Sequence, residues 1–387
     1  MNMNKKSIAA ALALALAAAV PAANAGVTIN GFGQVIAGTI GDDVDTMPER
    51  NFNSDIDFKE ESLFAVQISS DINERVDVVA QLLARGYNDF DAELAWAYAA
   101  IKFDSGWNLK VGRQRTPFYR YSDFLDVGYA HPWVRTPLAV YNTPWSNMDG
   151  LGLSRNRMMG ENWFSQFQIQ YGEYRGDARF GGIIFDGTLK DFWGLSWDME
   201  YKEWLSFRAA YFTAETSLDG TSLDQLSAVL ASSGLSALAD RMDYQQDKGE
   251  FYNIGFKAER DAWMVVGEYV FVRLADSIAS DKKDWYLSGA YRFGDFQPSV
   301  TLGHRKADPI TEVYAGIPAT SPLFPTIFGA VQSQAYDDQY YGVSLRWDFA
   351  SNIAFKADYT RFTSDTDVRF TSRDGADLIS AGLVFTF

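Results

Sequence analysis

Hydrophobic and polar residues alternate with a period of two along most of this chain. Near its end, Ile379, Ala381, Leu383, Phe385 and Phe387 fall on one parity, and Leu378, Ser380, Gly382, Val384 and Thr386 on the other. Phe167, Ile169 and Tyr171 oppose Gln166, Gln168 and Gln170 in the same way, and the pattern returns in 193–200, 205–211, 252–257, 341–348 and 355–360. Successive side chains of a strand point to opposite faces, so each run predicts a strand with one apolar and one wet face. The runs approach the ~10 residues that cross a membrane as a barrel strand, beyond the ~5–6 of a typical soluble strand. Trp107, Trp163, Trp263, Trp285, Phe293, Phe349 and Phe387 stand near strand ends on the apolar parity, as interfacial girdles do. A soluble β-sandwich also alternates, but its inner face is dry, whereas here the second parity carries charge and glycine. The prediction is an all-β fold, a transmembrane antiparallel β-barrel.

The connections set the strand count. Short turns are expected near 73–74, 104–106, 159–161, 202–203, 260–261, 294–295 and 351–352. Longer links fall at 39–60, 87–91, 117–147, 175–188, 215–248, 276–281, 307–335 and 365–376. Seven short and eight long connections join sixteen strands, with both termini at the short-turn end and the first strand (27–38) paired to the last (377–387). In 215–248, Leu226, Val229 and Leu230 have helical spacing, which predicts a short helix on the rim.

Residues 1–25 read as a secretory signal: Lys5 and Lys6, an apolar run from Ile8 to Val20, then Ala23-Asn24-Ala25 as a small-x-small cleavage site. The remaining 26–387 form a single barrel domain. Losing Lys5 and Lys6 takes the formal charge from −16 to −18. There is no cysteine, so disulfides and thiolate sites are excluded. The acid excess argues against a nucleic-acid partner. No HExxH motif or phosphate loop occurs, and the two histidines, His131 and His304, have no nucleophile or acid at catalytic spacing. We therefore expect no enzyme activity, cofactor or metal, with an outer-membrane barrel enzyme as the distant alternative.

The link 117–147 is unlike the others. Reading TPFYRYSDFLDVGYAHPWVRTPLAVYNTPWSN from Thr116, it is rich in Tyr, Trp, Pro and Arg, and so should pack against something. It follows a strand ending VGRQR. Together with the opening VTINGFGQV and the closing LISAGLVFTF, these residues make the chain resemble the trimeric general porins of Gram-negative outer membranes, and those of marine gammaproteobacteria in particular. The resemblance implies a multi-pass outer-membrane protein forming a water-filled channel for passive diffusion of ions and small hydrophilic solutes. It further implies a third loop (117–147) folded inward as a constriction, and Phe387 as part of an assembly signal. The implied partners are two further copies in a homotrimer, outer-membrane lipids and lipopolysaccharide, and the solutes.

Parity places Arg85, Arg208, Arg305, Arg346, Lys257, Arg292 and Lys356 in the lumen, against Asp77, Asp198, Glu200, Glu259, Glu268, Asp348 and Asp358. The third loop adds Arg120, Arg135 and His131 against Asp123 and Asp126. In the resembled family, loop acids face basic wall residues, and the matching candidates are Asp123 and Asp126 against Arg85 or Arg113. Arg113 and Arg115 share the parity of Leu109 and Val111, so a bulge or the strand end must turn them inward, or else they lie above the membrane. The loop rings Tyr119, Tyr121, Phe124, Tyr129, Trp133 and Tyr141 allow an alternative, a substrate-specific channel with an aromatic binding track. Small outward residues on the early strands (Gly31, Gly33, Ala37, Ala95, Ala97, Ala99) point to a trimer interface there. Acids such as Asp42, Asp43, Asp45, Asp55 and Asp57 place much of the charge excess in external loops.

Overall fold

The computed structural model describes residues 26–41, 50–180, 183–221, 223–364 and 375–387. The expected signal, 1–25, and Asp42, Asp43 and Asp45 lie outside them. The chain forms sixteen antiparallel strands: β1 (Val27–Ile40), β2 (Leu63–Asn73), β3 (Val76–Arg85), β4 (Ala92–Lys102), β5 (Trp107–Arg115), β6 (Asn147–Met159), β7 (Trp163–Phe180), β8 (Ile183–Tyr201), β9 (Leu205–Asp219), β10 (Asp247–Arg260), β11 (Trp263–Leu274), β12 (Lys282–Tyr291), β13 (Phe296–Ala307), β14 (Tyr336–Ala350), β15 (Ile353–Ser364) and β16 (Gly375–Thr386). Each pairs with its neighbours in sequence, and β1 pairs with β16 to close the barrel. Closure leaves no open edge, the condition for a sheet to stand in hydrocarbon.

The seam has its own packing. Gly31 and Phe387 exchange backbone hydrogen bonds of 2.8 and 2.9 Å. A Cβ on Gly31 would lie 2.1 Å from Phe387 Cζ, and one on Gly33 2.7 Å from Phe385 Cζ. The two glycines therefore seat the terminal rings on the outer face, where Phe387 also stacks on Phe64 at 5.7 Å. Their smallness is used within one chain, which corrects the sequence reading of them as bare interface positions. The other outward aromatics pair across strands in the same manner, Trp163 with Tyr201 at 4.9 Å and Trp263 with Tyr291 at 4.6 Å.

Two further expectations change. Residues 175–180 and 183–188, read as part of a long link, belong to strands: β7 and β8 run on as a ribbon in which Arg175 pairs with Thr188 and Phe180 with Ile183. The ribbon buries the small Ala178 against the external loops and leaves Ile183 and Ile184 exposed, so apolar residues do not mark one parity while the ladder continues. Ala95 leaves the outward set because the β3–β4 register shifts between Gln81 and Leu82, where β4 inserts one extra residue. That bulge turns Ala95 inward, 1% exposed, against Phe32, Ala65 and Leu83.

At the long-loop end, helix α1 (Leu223–Ser232) forms where the apolar spacing predicted one. It is followed by α2 (Ser236–Asp240), while α3 (Phe324–Gln332) lies in the 308–335 link. Leu230, Met242, Ile278, Ile327 and Val331 are fully buried together, giving the external loops a core of their own.

We expect Gly31→Leu to cost about 1–3 kcal/mol, the range for overpacking a filled site. Phe387→Ala in the same background should return part of it by clearing the ring. Heat-dependent gel mobility of the folded barrel measures both, and equal melting of wild type and Gly31→Leu would disprove the seating.

Candidate functional site

The segment between β5 and β6 meets the polar, inward parity of much of the wall. Its residues 131–142 are all buried. Its first turn carries Phe118 into a cluster with Phe251 at 4.8 Å and Phe212 at 5.0 Å. Tyr119 packs on Tyr141 at 4.5 Å, and Trp133 donates Nε1–H to Ser288 Oγ and Thr301 Oγ1, both at 3.1 Å. Of the six rings considered as a binding track, Tyr119, Trp133 and Tyr141 are 7% exposed or less, while Phe124 is 54% exposed.

An irregular segment carries carbonyls and N–H groups that no ladder satisfies, and buried ones must find partners. The wall supplies them as charges. Lys356 of β15, 0% exposed, donates to the carbonyls of Gly128 (2.5 Å) and Trp133 (2.7 Å) and to that of His131. Arg346 of β14 donates to the carbonyls of Tyr129 (2.5 Å) and His131 (3.1 Å). Arg208 of β9 donates to Pro117 O and pairs with Asp198 at 2.5 Å. In the opposite sense, Glu268 of β11 accepts the Arg120 N–H (2.9 Å), the Tyr286 hydroxyl (2.9 Å), the Asn253 amide (3.0 Å) and the Tyr141 hydroxyl. Asp358 accepts the Val134 N–H at 2.9 Å.

A charge cluster ties the segment to the opposite wall. Asp126, 8% exposed, accepts from Arg85 at 2.9 Å and Arg115 at 2.5 Å. Burial alone would push its carboxyl up, but the two guanidiniums outweigh that and hold it at about 2. Arg135 forms a two-pronged pair with Glu61, one arm at 2.6 Å, and Glu60 next to it takes Arg179 of β7 at 2.6 Å.

No family model matches the sequence, and no curated protein matches it either. Solved structures do. The OmpF of Salmonella typhi in complex with daunomycin aligns with a TM-score of 0.59 at 15% identity, covering 93% of this chain and 97% of that one. The outer membrane channel DcaP of Acinetobacter baumannii gives 0.57 at 11%, covering 95% and 99%. The anion-selective porin from Comamonas acidovorans gives 0.53 at 8%, covering 94% and 100%. This chain has the porin fold. Its closed sixteen-strand barrel with an aromatic-rimmed apolar exterior is the architecture of a multi-pass outer-membrane protein.

Within the porin fold, the residues singled out from sequence divide. Arg85, Arg115, Arg120, Asp126, Arg135, Arg208 and Arg346 all contact the loop or belong to it. Asp123 is exposed and forms no ion pair among the described residues. Arg305 keeps the inward parity but is 0% exposed, its guanidinium over the Tyr336 ring at 4.7 Å, so it does not border open water. Arg113 is corrected: it stays on the outward parity and forms a two-pronged pair with Asp149 of β6, at 2.6 and 2.7 Å, away from Asp126. Arg115 does turn inward, as the last residue of β5 beyond Gly112 at φ +126°. Phe387 lies at the seam. Glu60 and Glu61 escaped sequence reasoning because they sit in a polar link with no parity to assign them. The parity of Lys356 was legible, but its backbone targets left no mark in the side-chain pattern.

His131 links the segment's hold to pH. It is 1% exposed, with Nε2 2.8 Å from Phe124 O. Burial, then Lys356 and Arg346, hold its imidazole at about 3, below the ordinary 6.5. The unfolded chain gains this proton below pH 6.5 and the folded one does not until about pH 3, so stability falls across that window as pH drops. At pH 5 the loss is about 2 kcal/mol. We expect His131→Gln to flatten the decline in barrel melting temperature between pH 7 and 5; an unchanged slope would remove His131 as its source.

Proposed function

We propose that this protein is a passive, water-filled channel of the outer membrane for ions and small hydrophilic solutes, narrowed by the segment 116–146 inside the barrel. The observation that carries the reading is the fastening of that segment: its carbonyls and N–H groups end on Lys356, Arg346, Arg208, Glu268 and Asp358, all wall residues of inward parity. A segment held at so many points acts as a fixed constriction. Selectivity in such a pore follows from its width and from charges that still meet water. On the inward parity these include Lys102, Lys257 and Arg292 against Glu93, Glu200 and Glu259, with Asp123 on the loop.

The burial of Tyr119, Trp133 and Tyr141 favours general diffusion over a solute-specific aromatic track. Both histidines have structural partners, His131 a backbone carbonyl and His304 the Asp337 carboxylate at 2.6 Å, which supports transport without catalysis. A homotrimer is the assembly we infer; the outer membrane protein OmpT of Vibrio cholerae, which aligns with a TM-score of 0.53, is described in a trimer form.

Planar-bilayer recording tests the channel. Conductance should rise linearly with salt and show no saturation by any one sugar or aromatic anion; failure to form a conducting pore would overturn the reading. Lys356→Met should release the loop carbonyls at a cost of about 3–5 kcal/mol, seen as larger or noisier conductance steps. Asp123→Lys should move the reversal potential in a salt gradient toward anions while the folded barrel keeps its melting temperature. No movement would remove Asp123 from the selectivity set.

A further inference from the structure

We propose that an outward groove at the short-turn end of β5–β8 binds the phosphate of an anionic glycerophospholipid from the inner leaflet of the outer membrane. The groove, about 770 Å³, is lined by Trp107, Arg155, Arg157, Trp163, Phe167 and Met199. Register fixes its face: Arg155 pairs with Trp107 on one side and Phe167 on the other, on the same parity as Leu151 and Leu153. This is the barrel's outside. β6 ends at Met159 in a short turn, and short turns lie on the periplasmic side of such barrels.

The charge of the groove is unbalanced. Arg155 and Arg157 project from one strand face roughly 7 Å apart. Among the described residues neither forms an ion pair with a carboxylate, although the chain has 50 acidic residues against 34 basic. Four other outward cations are neutralised within the chain: Arg113 by Asp149, Lys248 by Glu250, Arg273 by Asp281 and Arg361 by Asp377. All four lie toward the long-loop end. The exposed Arg260, at the end of β10, stands alone among the described residues and has no second guanidinium beside it on its strand face. The Arg155 guanidinium is oriented by the Trp107 ring, 5.3 Å from its centroid.

Two adjacent guanidiniums without an acid, at the depth of an aromatic belt, match a phosphate diester with acyl chains attached. The planar donors take phosphate oxygens two at a time, and the Trp and Phe rings cover the upper acyl chains. Basic pockets of this kind recognise anionic head groups. The leaflet decides the source, because the short-turn end meets glycerophospholipid. The proposal rests on the outer-membrane orientation and is independent of conduction.

Native mass spectrometry of the detergent-extracted full protein tests it, with phosphatidylglycerol against phosphatidylcholine of the same chains. Wild type should retain phosphatidylglycerol at collision energies that strip phosphatidylcholine. The double variant Arg155→Gln, Arg157→Gln should lower that retention at least about fivefold, with oligomeric state and conductance unchanged. Equal retention of the two lipids by wild type overturns the proposal whether or not the variant folds. So does full retention by the variant. A smaller oligomer in the variant overturns it too, by giving the groove to a neighbouring subunit. A wild type that conducts but shows no lipid preference would sink this site and leave the channel reading standing.

Discussion

A strand that crosses hydrocarbon must leave no backbone N–H or C=O unpaired, and in this chain that requirement is met or lost at one seam. Fifteen of the sixteen strand pairings join sequence neighbours through a hairpin or a link; the sixteenth, β1 with β16, joins the first strand to the last. The seam needs its register, Phe32 opposite Thr386 through Ile40 opposite Leu378, and it needs room on the outer face for Phe385 and Phe387. Gly31 and Gly33 provide that room. Glycine in a strand interior is ordinarily a loss, since it packs nothing and costs backbone entropy. Here neighbouring rings cover the bare backbone, and the loss becomes a docking surface for the chain's last residue.

The same accounting governs the interior. Thirty-odd residues of irregular chain inside a barrel bring their own unpaired polar groups, and the lumen wall cannot offer them a ladder. It offers point donors and acceptors instead. An ammonium such as Lys356 has three N–H groups and meets three carbonyls, those of Gly128, His131 and Trp133. A carboxylate such as Glu268 takes four donors. Removing either partner would strand the other without water, so the wall charges and the loop sequence constrain one another.

Much of this was legible in the sequence, because a barrel strand is the simplest of patterns. Period two located the sixteen strands, the seven tight turns and the outward aromatics, and the helical spacing of Leu226, Val229 and Leu230 located α1. The pattern failed where its physical cause was missing. Residues 175–180 and 183–188 bury the small Ala178 against the external loops and leave Ile183 and Ile184 exposed, so apolar residues there follow no single parity. Ala95 sits at a bulge, which shifts parity by one without changing composition. Gly31 and Gly33 looked like a surface for another chain because the rings that fill them come from the far end of the sequence. In the loop, residue types announced burial, but Lys356 and Arg346 address carbonyls, which every residue has and no sequence displays.

This has a consequence for reading selectivity from charge. By parity the lumen holds nearly equal numbers of cations and anions, as if the pore were balanced. Burial and pairing remove most of them from the field that a passing ion meets: Arg85 and Arg115 are balanced by Asp126 and Glu93, Arg135 is spent on Glu61, Arg208 on Asp198, and Arg305 lies beneath a ring. Charges in contact with water are screened within about 10 Å at ordinary ionic strength, so distant surface carboxylates contribute little at a constriction. On the channel reading proposed above, the sign of the pore follows from side chains still in water, such as the unpaired Asp123 and the exposed pair Lys257 and Glu259. It follows neither from the net charge of the chain nor from a count of inward-facing residues.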